Sequence, residues 1–149
     1  MISIDTNVLV YLWDNSAPQK MVVAQRIVST LAGNGARLGL QVIGETLAVL
    51  RRTVGQPPWL AAQNARNLLV AFDTFAADEA NVAEALALMA AGRMNYWDAL
   101  LVTASRDAGC TVLLTEDMQD GFQLGDLEIV HPFGPTGPSA RLETCLQGR

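Results

Sequence analysis

Met1-Ile2-Ser3-Ile4-Asp5-Thr6-Asn7-Val8-Leu9 is the stretch of sequence that decides the fold. Its apolar run ends at Asp5, and apolar residues at helical spacing follow. This pattern predicts a buried strand that delivers Asp5 to the rim of a sheet. Because ligands of open α/β sheets bind at that rim, we expect other carboxylates that follow strands or open helices to converge on Asp5.

Strand and helix patterns alternate along the rest of the chain. Further strands are predicted at 38–40, 74–76, 111–115 and 127–130, the last of them at the edge of the sheet. Helices are predicted at about 18–31, 41–52, 59–72, 78–91 and 95–108. Strands that alternate with helices pair in parallel through right-handed crossovers. The sequence therefore predicts an α/β fold with three layers, α/β/α, and a central, mainly parallel sheet.

Length and composition are those of a folded protein with one main domain. The chain has 149 residues, half of them hydrophobic, which is enough for a sizeable core. We predict one domain over 1–133, followed over 134–149 by a polar tail with prolines and glycines and little ordered structure. No apolar stretch resembles a membrane span, and the amino terminus lacks the pattern of a secretion signal, so we expect a cytoplasmic protein without a membrane partner.

The charged residues argue against a non-specific nucleic-acid binder. Ten basic and fifteen acidic residues give a formal net charge of −5, whereas phosphate neutralisation needs positive charge. However, acids gathered in one metal site would make this total misleading. Nine of the ten basic residues are arginines, which leaves Lys20 as the only lysine and His131 as the only histidine.

Four carboxylates stand where the predicted elements would bring them together. Asp5 follows the first strand, Glu45 lies in an early turn of the helix after 38–40, Asp98 follows the helix cap Asn95 by three residues, and Asp117 follows strand 111–115. Two carboxylates 4 Å apart repel by ~4 kcal/mol at an effective dielectric near 20. Proton uptake or a bound divalent cation relieves such repulsion. Oxygen ligands without histidine or cysteine suit Mg²⁺ or Mn²⁺.

Each of these acids also has a purely structural interpretation. Asp5 and Asp98 are placed to cap or stabilise the starts of helices. Glu45 alone is more often a solvated helix residue than a ligand. Asp117 shares its loop with acids at positions 116 and 120, any of which can be an ordinary loop carboxylate. It is the joint pattern that favours a site.

The same segments resemble a known family. They look like the four acidic motifs of PIN-domain ribonucleases, and most closely those of the VapC-like toxins of bacterial toxin–antitoxin pairs. The resembling segments are Asp5-Thr6-Asn7-Val8-Leu9, Glu45 in its early helix turn, Tyr96-Trp97-Asp98-Ala99-Leu100, Thr115-Glu116-Asp117-Met118 and the closing Pro132-Phe133. The resemblance runs from Met1 to about Phe133, and the tail beyond lies outside it.

The resemblance implies a metal-dependent endoribonuclease. It implies that Asp5, Glu45, Asp98 and Asp117 hold Mg²⁺ or Mn²⁺ as the catalytic residues. It further implies RNA cleavage by a metal-activated water, which leaves a 5′-phosphate and a 3′-hydroxyl. The expected partners are the RNA substrate, a second copy of the chain in a homodimer, and an antitoxin whose carboxy-terminal segment enters the active-site groove.

Four neighbouring residues are expected to support these acids. By the same resemblance, Thr6 and Asn7 are expected to hold Asp5 or the phosphate by hydrogen bonds, and Thr115 to act in the same way near Asp117. Glu116 is a further supporting residue and also an alternative to its neighbour Asp117 as the fourth ligand. We prefer Asp117 for its place in the motif.

Four arginines are candidates for contacts with the RNA backbone. Surface ion pairs are the alternative role for each of them. These candidates are Arg51, Arg52, Arg93 and Arg106.

Other functions fit the sequence less well. Phosphoaspartyl enzymes also begin with an aspartate after the first strand, but they need a later lysine, and the chain has none after Lys20. A serine hydrolase would have only His131 as its base and lacks the G-x-S-x-G turn; a structural role suits His131 better. A silent PIN-like module that binds RNA or protein, and a structure-specific DNA nuclease, remain as alternatives.

Overall fold

A six-stranded sheet lies at the centre of the protein, in a computed structural model that describes residues 1–147. Its strands stand in the order β3-β2-β1-β4-β6-β5, and all neighbours pair in parallel except β5 and β6. The strands are β1 (Ile2–Ile4), β2 (Ala36–Gly39), β3 (Asp73–Phe75), β4 (Val112–Leu114), β5 (Gln123–Leu124) and β6 (Leu127–Val130).

Seven α-helices within residues 1–147 complete the three-layer α/β/α arrangement, so the predicted fold class is confirmed. The first helix continues directly into a 3-10 turn at Val10–Trp13. The helices are α1 (Thr6–Leu9), α2 (Pro18–Leu31), α3 (Leu40–Arg52), α4 (Pro58–Ala71), α5 (Glu79–Ala90), α6 (Tyr96–Asp107) and α7 (Ala140–Leu146). None of the helices within residues 1–147 combines the length and apolar character that crossing a membrane requires.

The central strands are buried on both faces. Ile2, Ile4, Leu113 and Leu114 are fully inaccessible to solvent, because helices cover both sides of a parallel sheet. The apolar stripes of α2, α3, α4 and α6 pack onto this sheet in one continuous core. The strands are therefore rigid supports for whatever follows them.

The order of the strands reverses beside β1. The chain runs outward from β1 to β2 and β3, and then returns to place β4 on the other side of β1. Ile4 lies opposite Leu114, and the backbone N–H of Asp5 donates to the Leu114 carbonyl at 2.9 Å. Asp5 and Thr115 thus leave adjacent strands side by side, at the point where open α/β sheets bind their ligands.

Two expectations from the sequence were wrong. Strand β6 is not at the edge, because the two-residue β5 pairs with it in an antiparallel hairpin. The tail is not without structure either: Ser139 caps α7, and Leu142 and Leu146 are buried in the main core. The expectation for residues 148 and 149 lies outside the described residues, and a domain boundary near Phe133 stays a prediction.

Candidate metal and catalytic site

Four carboxylates from separate elements line one pocket of about 470 Å³ at the carboxyl edge of the sheet. We call this hollow the acidic pocket; its carboxylates are Asp5, Glu45, Asp98 and Asp117. The structure thus brings together the four acids that the sequence singled out. Thr6, Asn7 and an apolar wall formed by Val10, Ala48 and Val49 complete the lining.

Asp5 is the buried member of the group, with 6% of its surface exposed. Its carboxylate caps α1 by accepting the Thr6 backbone N–H at 2.6 Å, so the capping role also applies. Its Oδ2 accepts the Thr115 hydroxyl at 2.8 Å and the Asn7 amide at 2.9 Å. These bonds fix the side chain on three sides.

Burial raises the pKa of Asp5 from the ordinary 3.8 to about 6. The hydrogen bonds from Thr115 and Thr6 oppose this rise in pKa. The negative charges of Asp98 and Glu45 add to it. Asp5 is therefore a carboxylate that lacks a compensating positive charge.

Glu45 enters the acidic pocket from the second turn of α3. Its Oε2 accepts the Thr6 hydroxyl at 2.9 Å, and its Oε1 accepts the Gln41 amide at 2.8 Å. Gln41 lies one helical turn earlier on the same face of α3 and also donates to the Trp97 carbonyl at 3.2 Å. The glutamate is therefore held by its own helix and by the first turn of α1.

Asp98 lies in the first turn of α6, where Asn95 and Asp98 bond to each other reciprocally. The Asp98 backbone N–H donates to Asn95 Oδ1 at 2.9 Å, and Asn95 Nδ2 donates to the Asp98 carboxylate at 2.7 Å. Burial raises the pKa of Asp98, and the charges of Asp117 and Glu45 raise it further. The helix cap thus positions the acid but does not neutralise it.

Asp117 is the exposed member of the group, and Asn7 ties it to the rest. The Asn7 amide nitrogen lies 3.0 Å from Asp117 Oδ2, 2.8 Å from the Thr115 hydroxyl and 2.9 Å from Asp5 Oδ2. Asn7 Oδ1 accepts the backbone N–H of Glu116 at 3.2 Å. One asparagine therefore links the turn after β1 to the turn after β4.

The side chain of Glu116 bonds to Lys20 and Tyr11 and does not line the acidic pocket. Its Oε2 forms an ion pair with Lys20 at 2.6 Å, and its Oε1 accepts the Tyr11 hydroxyl at 2.5 Å. The Lys20 ammonium in turn lies over the rings of Tyr11 and Phe133. Of the two neighbouring acids, it is Asp117 that lines the acidic pocket.

The donor chemistry of the acidic pocket fits Mg²⁺ or Mn²⁺. Within the described part of the chain, the pocket lining has oxygen donors and no lysine, arginine or histidine. No three acidic, histidine or cysteine side chains in residues 1–147 are grouped closely enough to hold a metal ion together. Mg²⁺ commonly keeps several waters and binds only one or two carboxylates directly, so the remaining acids would act through water.

The four candidate arginines are in different environments. Arg106 forms ion pairs with Glu84 and Asp107, and Arg51 donates to the Gln56 carbonyl at 2.6 Å. The guanidinium of Arg52 has no bonding partner within residues 1–147. Arg93 is exposed and rests on the ring of Phe122 in a smaller pocket that Asp98 and Asp117 also line.

Sequence reasoning selected Thr6, Asn7 and Thr115 as supporting residues and Asn95 as a helix cap, but it missed Gln41, Tyr11 and Lys20. Gln41 left a local signal, because it is one helical turn before Glu45, the acid that it supports. Tyr11 and Lys20 left no local signal in the sequence, because their partner Glu116 is about a hundred residues away. Contacts of that kind follow from the fold alone.

Comparison with known proteins identifies the fold. The family model of the PIN domain matches residues 2–122. Comparison with curated proteins finds no match. Among solved structures, VapC20 of Mycobacterium tuberculosis, described as a sarcin–ricin loop cleaving toxin, is similar with a TM-score of 0.62 at 17% identity, covering 81% of this chain and 91% of that one.

Two toxin–antitoxin complexes contain chains of the same fold. A complex from Klebsiella pneumoniae aligns with a TM-score of 0.65 at 16% identity, over 89% of this chain and 98% of that one. VapBC2 of Rickettsia felis, bound to a promoter DNA fragment, aligns with a TM-score of 0.61 at 16% identity, over 87% of this chain and 97% of that one. With four-fifths of its length matched by the family model and its acids gathered where the strand order reverses, the chain belongs to the PIN domain family.

Proposed function

We propose that this protein is a metal-dependent endoribonuclease and the toxin of a toxin–antitoxin pair. The observation that carries the proposal is the acidic pocket, which four carboxylates from four elements line with no cationic side chain in the described lining. A fold that only binds RNA or protein gains nothing from this repulsion. Asp5, Glu45, Asp98 and Asp117 are the proposed metal-binding and catalytic residues.

The electrostatics of the acidic pocket support a bound divalent cation. Burial and neighbouring charges raise the pKa of Asp5 to about 6, so the pocket favours either a proton or a metal ion. A bound Mg²⁺ or Mn²⁺ would supply positive charge for the phosphate oxygens and a water of lowered pKa. The hydrogen bonds to Asp5, Glu45 and Asp98 keep their oxygens in place, so little reorganisation is needed when the site fills.

The remaining parts of the proposal concern substrate and partners. RNA is the proposed substrate, and VapC20, which has the same fold, is described as cleaving the sarcin–ricin loop. An antitoxin is the proposed protein partner, because several similar chains come from toxin–antitoxin complexes. We also propose a homodimer acting in the cytoplasm.

Metal-dependent cleavage of RNA tests the enzymatic proposal. Labelled single-stranded RNA is incubated with the full chain and Mg²⁺ or Mn²⁺, with and without EDTA, beside Asp5→Asn. We expect cleavage that EDTA and Asp5→Asn abolish, and products that carry a 5′-phosphate. Asp73→Asn is the matched control, because Asp73 is an exposed aspartate at the other end of the sheet, where β3 begins.

Each alternative function predicts a different result. RNA that is bound but never cut would favour the silent binding module. Cutting of flap DNA in preference to single-stranded RNA or tRNA would favour the DNA nuclease. Induced expression in bacteria tests the toxin assignment: wild-type protein should arrest growth, Asp5→Asn should not, and a small neighbouring gene should relieve the arrest.

A further inference from the structure

A second, smaller hollow adjoins the acidic pocket and carries an arginine. It measures about 160 Å³, and Asp98 and Asp117 belong to the linings of both hollows. We call it the arginine cleft, after Arg93, which lies in it over Phe122. Its volume is below the range of roughly 300–1,000 Å³ usual for drug-sized ligands, so it suits a small charged group better than a nucleobase with its sugar.

The backbone of Arg93 is fixed by the end of helix α5. Gly92 has a φ of 69°, the left-handed conformation that favours glycine at a helix end. The Gly92 N–H donates to the Met89 carbonyl at 2.9 Å, and the Arg93 N–H donates to the Leu88 carbonyl at 3.0 Å. The arginine therefore starts from an ordered turn, two residues before the cap of the helix that carries Asp98.

The guanidinium of Arg93 lies over the Phe122 ring and has no hydrogen-bond partner within residues 1–147. Its carbon lies 5.7 Å from the centre of the Phe122 ring. No other side chain within residues 1–147 engages its N–H groups, although two carboxylates line the same cleft. A guanidinium that contacts a ring in this way and forms no hydrogen bonds keeps its N–H groups available for two parallel bonds to phosphate oxygens.

Most other cations of the described chain are already bonded. Lys20, Arg26, Arg106 and Arg141 pair with carboxylates. Arg37 and Arg51 donate to backbone carbonyls. Arg52 and Arg66 have open guanidinium groups in the described chain, but neither belongs to the lining of the acidic pocket or the arginine cleft.

We propose that Arg93, supported by the ring of Phe122, binds the phosphate next to the one that is cleaved. This inference rests on the proposed nuclease function and adds a substrate-binding residue to it. Because the hollows share Asp98 and Asp117, an RNA strand crossing the acidic pocket would place a neighbouring phosphate in the arginine cleft. Arg93 supplies there the positive charge that the described lining of the acidic pocket lacks.

Steady-state kinetics on a short single-stranded RNA test the proposal. A hydrogen bond to a charged group is strong enough that Arg93→Ala should raise KM by about 10- to 100-fold, with kcat little changed. Arg93→Lys should recover part of the loss, because it keeps the charge but not the paired geometry. The slope of log KM against log salt should fall by about 0.7, the value for one phosphate contact on a single strand. Arg66→Ala is the matched control and should leave KM unchanged.

A chemical change in the RNA locates the contact. One linkage at a time is replaced by an uncharged methylphosphonate beside a 2′-O-methyl nucleotide, and KM is measured for each position. A single neutral linkage adjacent to the cut should raise KM for the wild type and have no further effect in Arg93→Ala. Equal effects in both proteins would overturn the assignment.

Other outcomes separate this inference from the proposed function. If the wild type cuts RNA but Arg93→Ala behaves like Arg66→Ala, the phosphate contact is wrong and the nuclease stands. If Arg93→Ala strengthens Mn²⁺ binding and leaves KM unchanged, Arg93 is a counter-ion of the acids and the inference fails. If the wild type does not cut RNA, the affinity for RNA in EDTA is measured instead. A loss of affinity specific to Arg93→Ala would support the phosphate contact without the nuclease function. No loss of affinity would overturn both the contact and the nuclease function.

Discussion

Two groups of carboxylates in this protein have opposite surroundings. In the acidic pocket, Asp5 and Asp98 face other acids, and burial raises the pKa of both. On the helical surface, Glu84, Asp107 and Glu143 each face an arginine. Hydrogen bonds from those arginines lower the pKa of all three. We call the second group the paired acids.

The contrast shows how similar side chains serve different purposes. The paired acids satisfy their charges within the chain and have no need of a ligand. The acids of the pocket are supported by neutral donors such as Thr115, Asn95 and Gln41, which position the oxygens and leave their charge uncompensated. We therefore expect changes in the acids of the pocket to affect chemistry and metal binding, and changes in the paired acids to affect only stability.

The largest expected effect is a difference in the rate of RNA cleavage between variants of two aspartates in the same helix. Asp98→Asn should lower the rate of RNA cleavage by at least about 100-fold, because losing even an outer partner of a metal site typically costs 10- to 100-fold. Asp107→Asn, at the other end of α6, should leave the rate unchanged. Single-turnover assays at saturating Mn²⁺ measure both. Similar losses in the two variants would show that the two groups do not differ in function.

The pH dependence of stability without metal should have opposite signs for the two groups. Since the pKa of Asp5 is raised to about 6 in the folded protein, its ionisation destabilises the fold, and stability should increase as the pH falls from about 7 towards 4. The effect of Asp5 on the free energy of unfolding is on the order of 3 kcal/mol at most. The paired acids have lowered pKa values, so their contribution is present above pH 4 and is lost as the pH falls further. Urea unfolding in EDTA measures the curve.

Asp5→Asn is the control for this curve, because it removes the titrating carboxyl. The increase between pH 7 and 5 should become smaller, because only the contribution of Asp98 is left, and the loss below pH 4 should remain. A wild-type curve that is flat from pH 7 to 5 would mean that Asp5 is not the charge-deficient group described here.

Added metal should stabilise the protein in proportion to the charge of the acidic pocket. At a concentration a hundredfold above Kd, a ligand specific for the folded state adds about 2.7 kcal/mol, which corresponds to roughly 5–10 °C in Tm for a domain of this size. The shift with Mn²⁺ should be larger at pH 7.5 than at pH 5, because below about pH 6 the cation competes with a proton on Asp5. Thermal scans with Mn²⁺ and with EDTA test this. An equal shift in Asp98→Asn would place the metal elsewhere.

The smallest effect is expected among the paired acids. Glu84→Gln removes the negative charge that accepts two bonds from Arg106, at 2.7 and 2.6 Å, on a partly exposed surface. Such pairs contribute about 1 kcal/mol or less and are screened by salt. Chemical denaturation at low and high salt should show a small loss of stability that disappears at high salt, with cleavage unaffected.

Local patterns were enough to predict the main features of the fold and the positions of the four acids. Asp5 directly follows a strand, and Asp98 follows a helix cap, so nearby residues decide where each one lies. That these acids bind metal is still a prediction. The parts that sequence reasoning missed have a physical reason in common. Strand β5 has two residues, and α7 has seven between prolines and glycines, and both become ordered only by packing on elements distant in sequence.

The amide of Asn7 has a consequence for how the pocket adapts to an occupant. It offers two hydrogens to three acceptor oxygens within 3.0 Å, so one oxygen must share a hydrogen with another or receive no hydrogen bond. Water can replace the amide at exposed Asp117 but not at buried Asp5. Breaking the bond to Asp117 therefore costs the least free energy. We therefore expect the turn after β4 to move when the pocket binds an occupant and the turn after β1 to stay fixed.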